Sequence, residues 1–281
     1  MTTTTPAHRT HHVERARSGR APATWGRKAL VPLAIVVLWA VVTETRLVAA
    51  LFLPSPSDLV ESFGDLRAQL LPALASSVGM TLSGFALGAA LGVTMGLLMA
   101  YSAIARDLFG GILDFIRPVP VFALIPLFVL WFGIGRAPQI TLIALGTSVV
   151  LGVTTLSAIR NVSPVHVKAA LTLGATRWDV YRTVVVPSIL PHLLGSIRVA
   201  AAASWGLDVA AEFLGAQSGL GYLMINRQQY LDTAGIVLIV LIYSTLALVL
   251  DLAIRKAEGP ATRWTDRSSA TGPVAGLLGA D

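Results

Sequence analysis

The chain has 281 residues, 54% hydrophobic and 13% charged, and a mean hydropathy of +0.72 that excludes a water-soluble fold. A formal net charge of +6 would suit a nucleic-acid binder, yet the basic residues lie between apolar runs instead of forming one stripe, so they read as a topology signal. With no cysteine in the chain, disulfide scaffolds, thiolate metal sites and cysteine nucleophiles are excluded.

Residues 1–28 are rich in Thr, His, Arg and Pro without apolar periodicity and read as a disordered basic tail. Because nothing there forms a helix, the four-residue spacing of His8 and His12 does not make a metal site, and none is expected elsewhere. Six apolar segments follow, at 29–44, 74–101, 110–133, 139–159, 188–210 and 233–254. Most reach the roughly 20 residues that a bilayer requires. The first is short and has a basic flank, but Glu44, Arg46 and five further segments follow it, so it reads as a retained helix and not as a cleaved signal. These segments define a transmembrane domain over 29–258, followed by a second tail at 259–281.

A cytoplasmic N-terminus puts fifteen Lys and Arg residues on the inner side against four on the outer, namely Arg46, Arg67, Arg136 and Arg227. The positive-inside rule therefore places both termini in the cytoplasm. Along the second segment Gly84, Gly88, Gly92 and Gly96 recur every fourth residue. Such a stripe lets another helix backbone approach, which is a packing role.

The third segment contains Arg117-Pro118-Val119-Pro120 and Pro126, and three prolines so close together bend a helix by removing donors. A break at membrane depth is tolerated against protein or water, so Arg117, Pro118, Pro120 and Pro126 are candidates for a solute path. A kink that only serves packing reads equally from the same residues. Trp131-Phe132 then marks the outer interface.

The loop at 160–187 reads as two short capped helices, not as a flexible linker. Ser163 is placed to cap a first helix with Pro164 at its first position, and Gly174 supplies a left-handed stop after Lys168-Ala169-Ala170. Thr176 and Asp179 have capping-box spacing for a second helix, which runs through Pro187 into the fifth segment. The small surface of Ala169 and Ala170 suits a short helix set into a groove on another protein.

Ionisable residues inside spans are costly and face a bundle interior or water. Asp114 and Arg117, three apart, read first as an ion pair near the cytoplasmic boundary and second as solute contacts. Arg198 reads similarly, first as capping or pairing with a neighbouring helix and second as a solute contact. Asp208 and Glu212, four apart near the outer end of the fifth segment, read as lining an entrance or as solvated, with Glu212 the better path candidate. No buried carboxylate pair suited to catalysis, no nucleotide-binding phosphate loop and no hydrolase motif is found, so the chain reads as non-enzymatic, without a cofactor.

The spacing Lys168-Ala169-Ala170, Gly174, Pro187 resembles the coupling loop of binding-protein-dependent ABC importer permeases. Lys168 stands where that family usually has Glu, and Val184 and Val186 replace Ile and Leu. The resemblance spans about Leu53 to Glu258 and points to the nitrate, sulfonate and taurine branch. It is carried by Leu53-Pro54-Ser55-Pro56-Ser57, by Arg117 to Gly135, and by Ala211-Glu212-Phe213-Leu214-Gly215 with Gly219-Leu220-Gly221-Tyr222. The resemblance implies an all-α integral membrane protein of about six transmembrane helices with the type I ABC importer permease fold, in a bacterial inner membrane. It also implies two permease copies, two cytoplasmic ATP-binding subunits and an extracytoplasmic solute-binding protein, with lipid around the bundle and no nucleic acid. A sister branch that imports thiamine-precursor pyrimidines carries very similar permeases. A secondary transporter would not need the capped knob.

Overall fold

The computed structural model describes residues 23–261, with side chains from 30 to 258. His8, His12 and most of both expected tails lie outside the described residues. Two boundaries of the sequence reading shift. Helix α1 (Ala23–Glu44) takes in Ala23 to Lys28, which were assigned to the disordered tail, because extending a formed helix by a turn costs far less than starting one. The last helix likewise runs to Ala261, past the expected end at 258.

Helix α2 (Pro56–Tyr101) has 46 residues, about 69 Å at 1.5 Å per residue, so the segment at 74–101 is only its inner part. Its start is fixed by a capping box. The Asp58 N–H donates to the Ser55 hydroxyl at 3.2 Å, and the Ser55 N–H donates to the Asp58 carboxylate at 2.8 Å. The stretch Leu53 to Ser57 is therefore the entrance to α2.

At Ser102 the chain turns back into α3 (Ala103–Ile116). The third segment is not one bent helix. After Arg117 the prolines break it, a single 3₁₀ turn covers Val121–Leu124, and α4 (Ile125–Phe132) leaves at 89° to α3. Gly133 and Gly135, at φ of +76° and +147°, turn the chain into α5 (Arg136–Arg160). The remaining elements are α6 (Pro164–Thr172), α7 (Arg177–Val180), a π-turn at Tyr181–Val185, α8 (Val186–Gly215), α9 (Leu220–Gln229) and α10 (Thr233–Ala261).

Five of the six expected segments fall on unbroken helix, and the third falls on the broken pair of α3 and α4. Four helical stretches are long and apolar enough to cross a membrane: Pro56–Tyr101, Arg136–Arg160, Arg177–Gly215 and Thr233–Glu258. Taken together as one broken span, the bent pair of α3 and α4 makes a fifth, and Leu30–Glu44 is a shorter apolar helix.

Helix α5 is the centre of the bundle, with 61% of its most apolar window buried against 11% for α10. The glycines of α2 lie directly on it. A Cβ at Gly88 would come within 2.5 Å of the Ala144 carbonyl oxygen, one at Gly92 within 2.5 Å of the Ser148 carbonyl oxygen, and one at Gly96 within 2.5 Å of Thr155 Cβ. At Gly84 the nearest atom would be Ile143 Cβ at 2.7 Å. The two backbones are thus in contact over more than three turns. Around this pair, Leu66, Leu70, Trp205, Leu220 and Ile239 form one buried cluster, and Met99, Leu113 and Val149 form another at the opposite end of α2.

Candidate functional site

The loop between α5 and α8 folds into a knob held by its own caps. Gly174 adopts φ +87°, its N–H donates to the Leu171 carbonyl at 3.0 Å, and the Ala175 N–H donates to the Ala170 carbonyl at 3.1 Å. That pair of bonds is a Schellman stop and requires a residue tolerant of the left-handed region. The Thr176 and Asp179 box closes reciprocally, with the Asp179 N–H donating to the Thr176 hydroxyl at 3.2 Å and the Thr176 N–H donating to the Asp179 carboxylate at 3.0 Å. The Thr176 hydroxyl bond, followed by its backbone bond, holds the Asp179 carboxyl below its ordinary range. One expected detail is absent: Ser163 precedes α6, but its side chain makes no cap bond.

Pro187 shapes the exit from the knob. It has no N–H, and its ring would crowd a carbonyl four residues back, so the helix widens and the Val186 N–H donates to the Tyr181 carbonyl five residues earlier. Lys168, Ala169, Leu171 and Leu173 are exposed, Leu173 at 88%. Lys168 forms no ion pair among the described residues. The knob's root carries aromatic residues that the sequence reading did not single out. Trp178 stacks on Tyr181 at 6.0 Å, both meet Tyr101 edge-on at 5.9 and 5.3 Å, and the Tyr181 hydroxyl donates to the Leu97 carbonyl at 2.9 Å. These contacts fasten the knob to the end of α2.

A second polar assembly lies in the interior near the other end of the bundle. Asp208 and Glu212 neither line an entrance nor meet solvent: they are 0% and 1% exposed. They form a buried carboxylate pair that the sequence reading did not find. Glu212 Oε1 accepts from the Ser77 hydroxyl at 2.6 Å, and Oε2 accepts from the Gly221 N–H at 2.5 Å and the Tyr222 N–H at 3.4 Å. Ser77 in turn accepts from the Leu220 N–H at 2.8 Å. The Tyr243 hydroxyl lies 3.3 Å from both Asp208 Oδ2 and Glu212 Oε2.

The carboxylate thus caps the amino end of α9, satisfying donors that begin every helix unpaired. The glycines beside it make room. Gly219 sits at φ +121°, where a side chain would overlap the Glu212 carboxylate, and a Cβ at Gly221 would lie 2.9 Å from Glu212 Cβ. This spatial pairing explains why Ala211 to Gly215 and Gly219 to Tyr222 act as one motif.

The remaining charges divide. Arg198 pairs with α10, at 2.8 Å to Asp251 and 3.8 Å to Glu258, and not with Asp208. Asp114 and Arg117 form no ion pair among the described residues. Both instead line an open cavity of about 370 Å³ between α3 and α5. Pro118 and Pro120 form the corner above it, and Pro126 starts α4.

The model of the family described as "Binding-protein-dependent transport system inner membrane component" matches residues 88–258. The taurine transport system permease protein TauC of Escherichia coli (strain K12) is 30% identical over 264 residues, covering 89% of this chain and 96% of the relative. A putative aliphatic sulfonates transport permease protein, SsuC of Bacillus subtilis (strain 168), is 31% identical over 252 residues, covering 89% and 91%. The formylaminopyrimidine transport permease protein ThiX of Halalkalibacterium halodurans is 29% identical over 237 residues, covering 83% and 93%. Among solved structures, an inward-facing MetNI methionine ABC transporter superposes with a TM-score of 0.57 at 19% identity, covering 68% of this chain and 97% of that one. The fold is that of the type I ABC importer permeases. This chain belongs to the binding-protein-dependent ABC importer permeases, as a multi-pass inner-membrane component.

Proposed function

We propose that this chain is the permease of an importer for small organosulfonates, taurine or an alkanesulfonate. The observation that carries this reading is similarity to taurine and sulfonate permeases along about nine-tenths of the chain. In this reading both termini are cytoplasmic and two copies enclose the solute path. A separate ATP-binding subunit docks on the knob of α6 and α7, contacting Lys168, Ala169 and Ala170, with Gly174 and Pro187 fixing the knob's angle. An extracytoplasmic binding protein selects the solute. The exposed, doubly capped knob supports the docking role, because a rigid apolar projection fits a groove better than a flexible loop.

A second reading, import of a pyrimidine precursor, is favoured by the likeness to ThiX. Uptake by vesicles holding the complete complex separates the two. Labelled taurine and alkanesulfonate are expected to accumulate with ATP, nitrate is the next candidate anion, and a neutral pyrimidine is not expected to accumulate. Accumulation of the pyrimidine alone overturns the sulfonate reading.

A further inference from the structure

The cavity between α3 and α5 is lined by Arg106, Asp107, Asp114 and Arg117 from α3 and by Ser157 and Arg160 from α5. Arg106 donates to the Met99 carbonyl at 3.1 Å and to the Ala100 carbonyl at 3.5 Å. None of the five charged side chains forms an ion pair among the described residues. Arg106 and Arg117 are eleven residues apart, about 16 Å along the helix, which is half the roughly 30 Å thickness of a bilayer core. The groove therefore runs from the end of α3 where the chain turns back from α2 to the guanidinium at the Arg117 corner.

Exposed charges in an otherwise apolar span require water beside them. The opposite side of α3 is apolar, with Ile104, Leu108 and Phe115 exposed by 60–80%. Gly110 and Gly111 leave the groove's wall open, since a Cβ at either would meet nothing within 4 Å. Three guanidiniums against two carboxylates leave one net positive charge.

We propose that this groove is the anion-selective cytoplasmic exit of the solute path. Arg117 receives the solute's charge at the corner made by Pro118 and Pro120, and Arg106 and Arg160 lead it to the cytoplasm. Asp107 and Asp114 keep the attraction weak, so an anion is passed on and not trapped. The inference rests on the permease function proposed above.

Because the chain lacks cysteine, Gly110→Cys provides a single thiol whose modification can be read by the mass of the permease within the whole complex. Membrane-impermeant methanethiosulfonates are expected to reach it in inside-out vesicles and not in right-side-out ones. One net charge at roughly 8 Å in a water-like medium favours an anionic over a cationic reagent about six-fold, relative to their rates with a free thiol. Adding Arg117→Gln removes the bias, and adding Asp114→Asn raises it to about thirty-fold. Equal rates for the two reagents, in both the Gly110→Cys protein and its Asp114→Asn form, overturn the proposal. So does labelling from the outside only, or none. Slowing of the modification by millimolar taurine supports both the exit and the sulfonate reading. Charge bias without that slowing upholds an anion exit and removes the sulfonate reading.

Discussion

Replacing Glu212 with alanine removes the acceptor that joins α2, α8 and α9. The bonds from the Ser77 hydroxyl at 2.6 Å and the Gly221 N–H at 2.5 Å are short and made to a carboxylate, each worth about 1.5–3 kcal/mol. Those from Tyr222 and Tyr243, at 3.4 and 3.3 Å, are long and add little. Two effects offset part of the loss. The variant no longer buries the acid side chain, and Ser77 still accepts from the Leu220 N–H at 2.8 Å. A net destabilisation of about 3 kcal/mol remains, or roughly 6–12 °C in melting temperature for a domain of this size. The assay is thermal unfolding of the purified complex in detergent, followed by loss of the monodisperse species. Gly219→Ala is expected to lower the melting temperature as well, because φ +121° strains any side chain and its Cβ overlaps the carboxylate. In the double variant the overlap is gone, so the two losses add to less than their sum. An alanine variant that melts within about 2 °C of the parent, or strict additivity, would refute the view that Glu212 anchors α9.

Gly174→Val is expected to abolish transport and weaken ATPase co-purification while leaving membrane insertion intact, since valine at φ +87° cannot close the Schellman turn without strain of about 1–2 kcal/mol; unchanged uptake would remove the knob from the coupling mechanism. Gly88→Ala drives a methyl into the Ala144 carbonyl and is expected to cost about 1–3 kcal/mol of stability, whereas Gly64→Ala, on the same helix with nothing within 4 Å, is expected to be neutral or mildly stabilising. Equal melting temperatures for these two variants would show that α2 and α5 do not depend on backbone contact.

The parts legible in the sequence were those governed by local rules. Six apolar segments, a left-handed glycine at 174, a capping box at Thr176 and Asp179, and a break near Pro118 each follow from spacing within a few residues. The capping box at Ser55 and Asp58 obeys the same rules, and its start of α2 eighteen residues early went unread because hydropathy dominates over polar caps in span finding. What spacing could not give was depth. Asp208 and Glu212 sit near the end of an apolar segment, where a carboxylate usually finds water; the return of Gly219 to Tyr222 over Glu212, with Ser77 of α2 and Tyr243 of α10, encloses the pair. Ser77 gave a faint signal as a polar residue in an apolar run, and Tyr243 gave none. The partner of Arg198 was equally hidden, because Asp251 is 53 positions away and meets it only through helix packing.

The long α2 has a mechanical consequence. Its glycines lock its inner half to α5 from Gly84 to Gly96, and Tyr101 and the Leu97 carbonyl bolt its inner end to the knob, so the knob and this half of α2 make one stiff lever, while Pro72 interrupts the hydrogen-bond ladder of the outer half. A push on the knob is not absorbed between Tyr101 and Gly84, and beyond that stretch Pro72 is where α2 can bend. Yielding belongs to the points where the backbone leaves helical geometry, among them Ser102, Arg117 to Pro120, Gly133 to Gly135 and Ala216 to Gly219. The bundle is built like a crank whose bearings are those few peptide units, set between lengths of rigid helix.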